Sequence, residues 1–255
     1  MSKAYDTYRK LFTSASDGVV CWWYLGTAFV EVEGFPEVPV TQAETIMAYK
    51  TETLGPDSCK ISWWEIGYFR DPITGQPSET WLNPITGQRV KAPQKFEEGP
   101  AYYTVTAKSD TVVEVDLVQA QAKVRSLTVE ITEADGQVQI LQTEVKVRGF
   151  PRADGSLPDP DSSDASAAET QLIMFGSRAE LDGGADEAQG TGAYTFRLAS
   201  PPAWMGFGDR KGSSLVRGVM HKAPVNEKLN PIAWDRLKAI FPDRFEGEEI
   251  RPVWG

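Results

Sequence analysis

A chain of 255 residues with 41% hydrophobic side chains is long enough to bury a core of its own, in one β-rich domain spanning 1–255. Its net charge of -10 speaks against nucleic acid as a partner, because phosphate backbones are repelled and no cluster of Lys and Arg interleaves with aromatics. No apolar stretch approaches the ~20 residues of a membrane-spanning helix, and the polar start from Met1 to Phe12 lacks the apolar centre of a signal peptide, so a cytoplasmic location is expected.

Residues 3–13 fit a short helix, with Ala4, Tyr8, Leu11 and Phe12 on one side, that plugs or flanks the rest. Val19 to Val32 reads as a long strand, nearly apolar at first and alternating later, with Gly26 marking a bulge or bend. Cys21 and Cys59 both fall beside strands; they read as two buried reduced thiols, with a facing pair as the alternative. Further strands are expected at 45–53, 59–69, 79–82, 88–92, 102–107, 111–118, 123–131 and 138–147, the last two joined at Ala134 to Gln137.

The run from Ile61 to Gly75 ends in Asp71-Pro72-Ile73-Thr74-Gly75, and Asn83 to Gly87 repeats that turn. Pro presets φ and Gly takes the left-handed position, so two tight hairpins and a meander are expected. Such a meander gathers Trp63, Trp64, Tyr68, Phe69 and Trp81 into one wall of an aromatic-lined cavity. Residues 151–168 are rich in Asp, Ser, Pro, Gly and Ala and read as a surface loop, as do 182–192, which separate strand-like stretches at 171–176 and 193–198. Asn230 as cap and Pro231 at the first position open a helix through Trp234, Leu237, Lys238 and Ile240 that Pro242 ends, and the tail Ile250 to Trp254 packs back. Many strands with short turns and no alternating helices predict a mainly β fold, an antiparallel, lipocalin-like barrel or strongly bent sheet with short terminal helices.

His221 is the sole histidine, which excludes multi-histidine zinc or iron sites and leaves a carboxylate-only Mg²⁺ or Ca²⁺ site. Gly206 to Gly212 departs from the dinucleotide fingerprint and is read as a loop, and there is no nucleophile elbow or P-loop. What remains is chemistry without a cofactor on a small hydrophobic organic molecule. Glu65, set among aromatics, gains a raised pKa if its face lines a cavity; otherwise it is a rim carboxylate paired with Arg70 or a lysine. Arg70 and Asp71 either anchor an oxygen-rich ligand or cap the hairpin. His221 is the one proton shuttle at neutral pH, or a structural histidine. Tyr24, Tyr68, Tyr102 and Tyr103 offer hydroxyls to a carbonyl or oxyanion, or serve as core. Trp22, Trp23, Trp63, Trp64, Trp81 and Trp204, with Met174, Phe175, Met205 and Phe207, have the surface to hold a terpenoid or polyketide, or to build an ordinary core.

Four stretches carry a resemblance: Trp23 to Gly26, Trp64 to Gly75, Trp81 to Gly87 and Pro202 to Arg210. Together they are similar to the signatures of the family named domain of unknown function 1838, across most of the chain. Where bacterial-looking members carry a His- and Asn-containing segment, this chain has Phe96-Glu97-Glu98-Gly99-Pro100-Ala101-Tyr102, a departure that puts any family-wide polar site in this segment in doubt. The resemblance extends to fungal hetero-Diels–Alderases that join a tropolone quinone methide to a humulene-type sesquiterpene. It implies a cofactor-independent cyclase with Glu65, His221 and Tyr68 as catalytic residues. Substrate would then lie against Trp22, Tyr24, Trp63, Trp64 and Trp81, with Tyr102, Trp204, Met205 and Phe207 completing the surface. The alternatives are a non-catalytic carrier of similar ligands and an acid-base hydrolase or lyase using Glu65 and His221.

Overall fold

The computed structural model describes residues 2–119, 122–148, 165–186, 188–224 and 230–254, together with 152, 156 and 159–163. In chain order the elements are α1 (Lys3–Phe12), β1 (Gly18–Val32), β2 (Val38–Gly55), β3 (Ser58–Arg70), β4 (Thr80–Leu82), β5 (Arg89–Lys91), β6 (Lys95–Ala107), β7 (Val113–Gln119), β8 (Ala122–Ala134) and β9 (Gln137–Arg148). There follow β10 (Ser166–Ser177), α2 (Arg178–Asp182), β11 (Thr191–Leu198), β12 (Gly212–Pro224), α3 (Pro231–Ile240), β13 (Phe245–Glu246) and β14 (Glu249–Ile250).

Ten strands form one antiparallel sheet in the order β7-β6-β3-β2-β1-β12-β11-β10-β9-β8, rolled into a nearly closed barrel whose two edge strands are consecutive in the chain. Side chains alternate across the wall. On β1 the even-numbered Val20, Trp22, Tyr24 and Ala28 join the interior cluster, while Cys21 and Trp23 join another cluster outside.

The helix α1 closes one end of the barrel. Ser2 caps it by accepting from the Tyr5 N–H at 3.4 Å, and Tyr5, Tyr8, Leu11 and Phe12 are fully buried in the interior cluster. Its backbone is held by the barrel: the Trp22 indole donates to the Phe12 carbonyl at 2.9 Å, and the Lys222 ammonium to the Lys10 carbonyl at 2.6 Å. Outside, α3 lies over β1, β2 and β3, placing Trp234, Leu237 and Phe241 on Ile46, Trp64, Ile66 and Tyr68. Asn230 caps α3 as expected, accepting from the Ala233 N–H at 3.2 Å. A third cluster joins the β4–β5 hairpin to a 3-10 turn at Ala203–Met205, through Trp81, Met205, Phe207 and Val90.

Several expectations are corrected. β12 was not foreseen, although it is the strand between β1 and β11, because its two glycines, hydroxyls and single charges blur the alternation. Gly26 is no bend: it pairs in regular register with Ala43 and Gly218, and a Cβ there would lie 1.8 Å from the Tyr24 hydroxyl, so its role is to leave room for that ring. Both Pro-Ile-Thr-Gly turns form, with Gly75 N–H to the Asp71 carbonyl and Gly87 N–H to the Asn83 carbonyl, each 2.8 Å. They do not make a meander, however. β3 pairs with β6, and β4 pairs with β5 in a separate small sheet, so the five aromatics expected on one wall are spread over three clusters. Cys21 lies outside the wall and Cys59 inside, so the two thiols do not face each other. The loop expected at 151–168 falls largely outside the described residues, and 166–168 already belong to β10; in the second loop, 183–186 and 188–190 are irregular and Thr191 begins β11.

Candidate functional site

A β-bulge builds the centre of the site. Trp63 pairs with Ala101 and Glu65 with Glu98, so Gly99 and Pro100 stand opposite the single residue Trp64. Gly99 has φ +95°, and a Cβ on it would come within 2.9 Å of the Trp63 carbonyl oxygen. The extra residue reverses the parity of β6. Phe96 and Glu98 before it, and Ala101 and Tyr103 after it, are therefore all buried, and Phe96, Ala101 and Tyr103 belong to the interior cluster.

β9 contributes the opposing groups. Its even positions, which begin with the core residues Val138 and Ile140, continue as Gln142, Glu144, Lys146 and Arg148, all buried. Arg148 grips Glu98 with both terminal nitrogens, Nη1 reaching Oε2 at 2.8 Å. Lys146 donates to Glu144 at 2.8 Å, and Gln142 and Tyr103 donate to the same carboxylate at 2.7 and 3.1 Å. Burial alone would lift the Glu144 carboxyl, but the Lys146 charge and these hydrogen bonds outweigh it and hold the pKa below the usual range. For Arg148, burial opposes the charge, and the Glu98 carboxylate more than offsets it.

Glu65 is the odd carboxylate in this group, three acids facing two bases. Burial first and the neighbouring Glu98 second raise its pKa to about 8; Thr45, Arg148 and Lys146 act the other way without prevailing. Two cavities of about 50 and 30 Å³ meet at it, sharing Glu65, Glu98, Arg148 and Tyr194 as lining. The first is closed by Tyr24, Thr45 and three phenylalanines, the second by Trp63, Tyr49, Tyr103 and Thr170. Tyr24 and Tyr194 meet edge to face at 5.1 Å. A carboxyl that stays protonated near neutrality, among aromatic rings, is equipped to give a proton to an oxygen and take one back. An open groove of about 690 Å³ lies elsewhere, lined by exposed charged residues such as Glu33 and Lys211. It is larger, but it shares none of these groups.

Of the residues singled out by sequence, Glu65, Tyr24, Trp63 and Tyr103 line the two cavities, and Trp22 belongs to the same interior cluster without lining either. Tyr68 and Trp64 are on the outer face under α3, where the Tyr68 hydroxyl donates to Glu44 and the Trp64 indole to Glu97 at 2.7 Å. His221 is also on the outer side, stacked on Trp23 at 5.8 Å, so it and Glu65 do not share a chamber. Tyr102 is 37% exposed, with the Lys60 ammonium over its ring. Trp81, Met205 and Phe207 form the third cluster, and Trp204 touches both that cluster and the interior, 6.2 Å from Phe69. Arg70 bonds Gln42 and Glu44 rather than Glu65, and Asp71 caps its own turn through the Ile73 and Thr74 N–H groups. Missed by sequence were Glu98, Glu144, Lys146 and Arg148. One signal was available: the apolar parity of β9 switches after Ile140, with no bulge against β10 to account for it.

No family model matches the chain, and no curated protein does. Among solved structures it is similar to the crystal structure of Ail, the attachment invasion locus protein of Yersinia pestis, at 8% identity and a TM-score of 0.26, over 82% of this chain and 100% of that one. A likeness of that degree carries no argument. Among the described residues, no helix is long and apolar enough to cross a membrane.

Proposed function

We propose that this chain is a cofactor-independent enzyme in which Glu65 exchanges a proton with an oxygen of a neutral organic substrate held inside the barrel, as a cyclase or lyase does. The observation that supports it is the placement of Glu65: an interior carboxyl with two cavities at its side, while Arg148 and Lys146 are committed to Glu98 and Glu144. In a dehydration, Glu65 gives its proton to a substrate hydroxyl as the C–O bond breaks and water departs with the electron pair. The carboxylate left behind then takes the proton released from a second hydroxyl, restoring the acid.

The finer reading follows the resemblance to the domain of unknown function 1838 family: water is lost from a hydroxymethyl tropolone, and the quinone methide adds to a humulene-type alkene. Pockets for molecules of that size measure roughly 300–1,000 Å³. The cavities beside Glu65 measure about 50 and 30 Å³, so this reading requires Phe69, Phe96 and their neighbours to move aside on binding.

The test is chiral chromatography with mass spectrometry on hydroxymethyl-tropolone and humulene, with buffer, the protein and Glu65→Gln. The expected result is one enriched adduct formed faster than in buffer, and a rate reduced about 100-fold or more by Glu65→Gln. A product mixture and rate equal to buffer would remove the cyclase; an undiminished rate in Glu65→Gln would remove the acid. The carrier reading is favoured by Tyr24 and Trp63, whose unpaired donors can hold a ligand without protonating it. A carrier binds the adduct and leaves the product distribution unchanged.

A further inference from the structure

Three buried polar atoms border the two cavities without a hydrogen-bond partner among the described residues: the Tyr24 hydroxyl at one, Trp63 Nε1 and Thr170 Oγ1 at the other. Their residues are 3, 6 and 4% exposed. Buried polar groups in folded proteins are nearly always paired, so three at one place mark a position where something else supplies the partner. An indole N–H only donates, and the two hydroxyls are free to donate, so what fits them is an acceptor oxygen.

Charge narrows the choice. Glu98 and Glu144 are balanced by Arg148 and Lys146, and Glu65 keeps its proton, so an anion or a cation alike would bring an uncompensated charge into the chamber. Size narrows it further: at roughly 10–15 Å³ for a water-sized group, volumes of about 50 and 30 Å³ admit only a few heavy atoms each.

We infer that the barrel interior is a binding site for a small uncharged carbonyl group, with Trp63 N–H and the Thr170 hydroxyl donating to its oxygen in one cavity and the Tyr24 hydroxyl offering the same in the other. Glu65 stands between the two. This deepens the proposed function, resting on its reading of the interior as the substrate chamber, and names the part of the substrate that is gripped. Binding is nevertheless measured without turnover.

The probe is acetone, titrated into ¹⁵N-labelled protein while the indole N–H signals are followed, with Trp63→Phe identifying the Trp63 signal. A saturable shift of that signal is expected, while acetate and tetramethylammonium produce none. Thr170→Val weakens acetone about tenfold, as loss of one hydrogen bond of ~1.4 kcal/mol does. Thr170→Ser keeps the affinity, which separates a lost donor from a damaged fold. The site is overturned if acetone moves all indole signals linearly without saturation, if acetate saturates and acetone does not, or if the Trp63 N–H contacts water alone throughout. Saturation by acetone with no turnover of any substrate would uphold this site and remove the acid-catalysis reading; turnover sensitive to Glu65→Gln with no acetone response would do the reverse.

Discussion

Glu65 and Glu98 are directly opposite partners in the β3–β6 ladder, and Arg148 closes on Glu98 with both of its terminal nitrogens. Two adjacent carboxylates in one chamber thereby differ in partner: Glu98 is clasped by Arg148, and burial with the Glu98 charge at its side raises Glu65.

That inequality has a sign that can be measured. Burial, then the Glu98 charge, raises Glu65 to about 8, so the folded state holds a proton that the unfolded chain releases near 4.5. The stability this gives is complete below the unfolded value and is lost as pH rises through about 8. Glu144 is shifted downward and acts in the opposite sense at the acid end. Urea unfolding of the protein and of Glu65→Gln, compared between pH 5 and 9, isolates the contribution. The difference is expected to move against the protein by on the order of a few kcal/mol as pH rises; parallel curves would sink the assignment.

Arg148→Met strands Glu98 among aromatic residues. Breaking a buried pair from one side costs about 3–5 kcal/mol, whereas removing both partners is often neutral. Denaturant midpoints should therefore show a severe loss for Arg148→Met and recovery of most of it in Arg148→Met/Glu98→Leu. If the double variant is as unstable as the single, the pair is not an isolated unit.

Glu44 organises the outer face. Completely buried, it accepts from the Tyr68 hydroxyl, from Arg70 Nη1 at 2.9 Å, from the Trp23 indole at 3.2 Å and from Asn230 Nδ2 at 3.0 Å. Asn230 is the cap of α3, so the carboxylate ties that helix to the wall. Glu44→Gln is expected to cost about 2 kcal/mol and to speed amide exchange in α3 more than in β9. Tyr68→Phe should lower stability and leave turnover alone, since its hydroxyl is spent on Glu44 outside the chamber.

Gly26→Ala tests the tight space over the Tyr24 ring. With a Cβ that would stand 1.8 Å from that hydroxyl, the ring must move, at a cost of about 1–3 kcal/mol. Combining it with Tyr24→Leu should return part of the loss in thermal unfolding; a purely additive pair would show that the ring is not the obstacle.

The strands with plain alternation and the turns with dedicated residues were legible. β3, β7 and β9 fall within one or two residues of their expected spans, and Asp71 and Asn83 make the same capped turn because both supply a short acceptor ahead of Thr-Gly. The candidate site was legible only in Glu65 and its aromatic neighbours. β9 misleads because hydrophobicity assigns Val145 and Val147 to the inside, whereas Val145 is 37% exposed and Lys146 is buried. Charges that compensate one another can occupy a core, and their partners lie on strands distant in sequence, beyond any local pattern. β6 misleads for another reason: its parity reverses at Gly99, a change no alternation count anticipates.

The wall of the barrel has one place where it was never stitched. Nine antiparallel ladders join ten strands, and among the described residues none joins β7 to β8, although these two follow each other in the chain. A cylinder cut along one line behaves as a collar: its girth changes when the two lips swing, with every main-chain hydrogen bond elsewhere intact. Amide protons along the lips should therefore exchange faster than those of β1 and β2, which are laddered on both flanks.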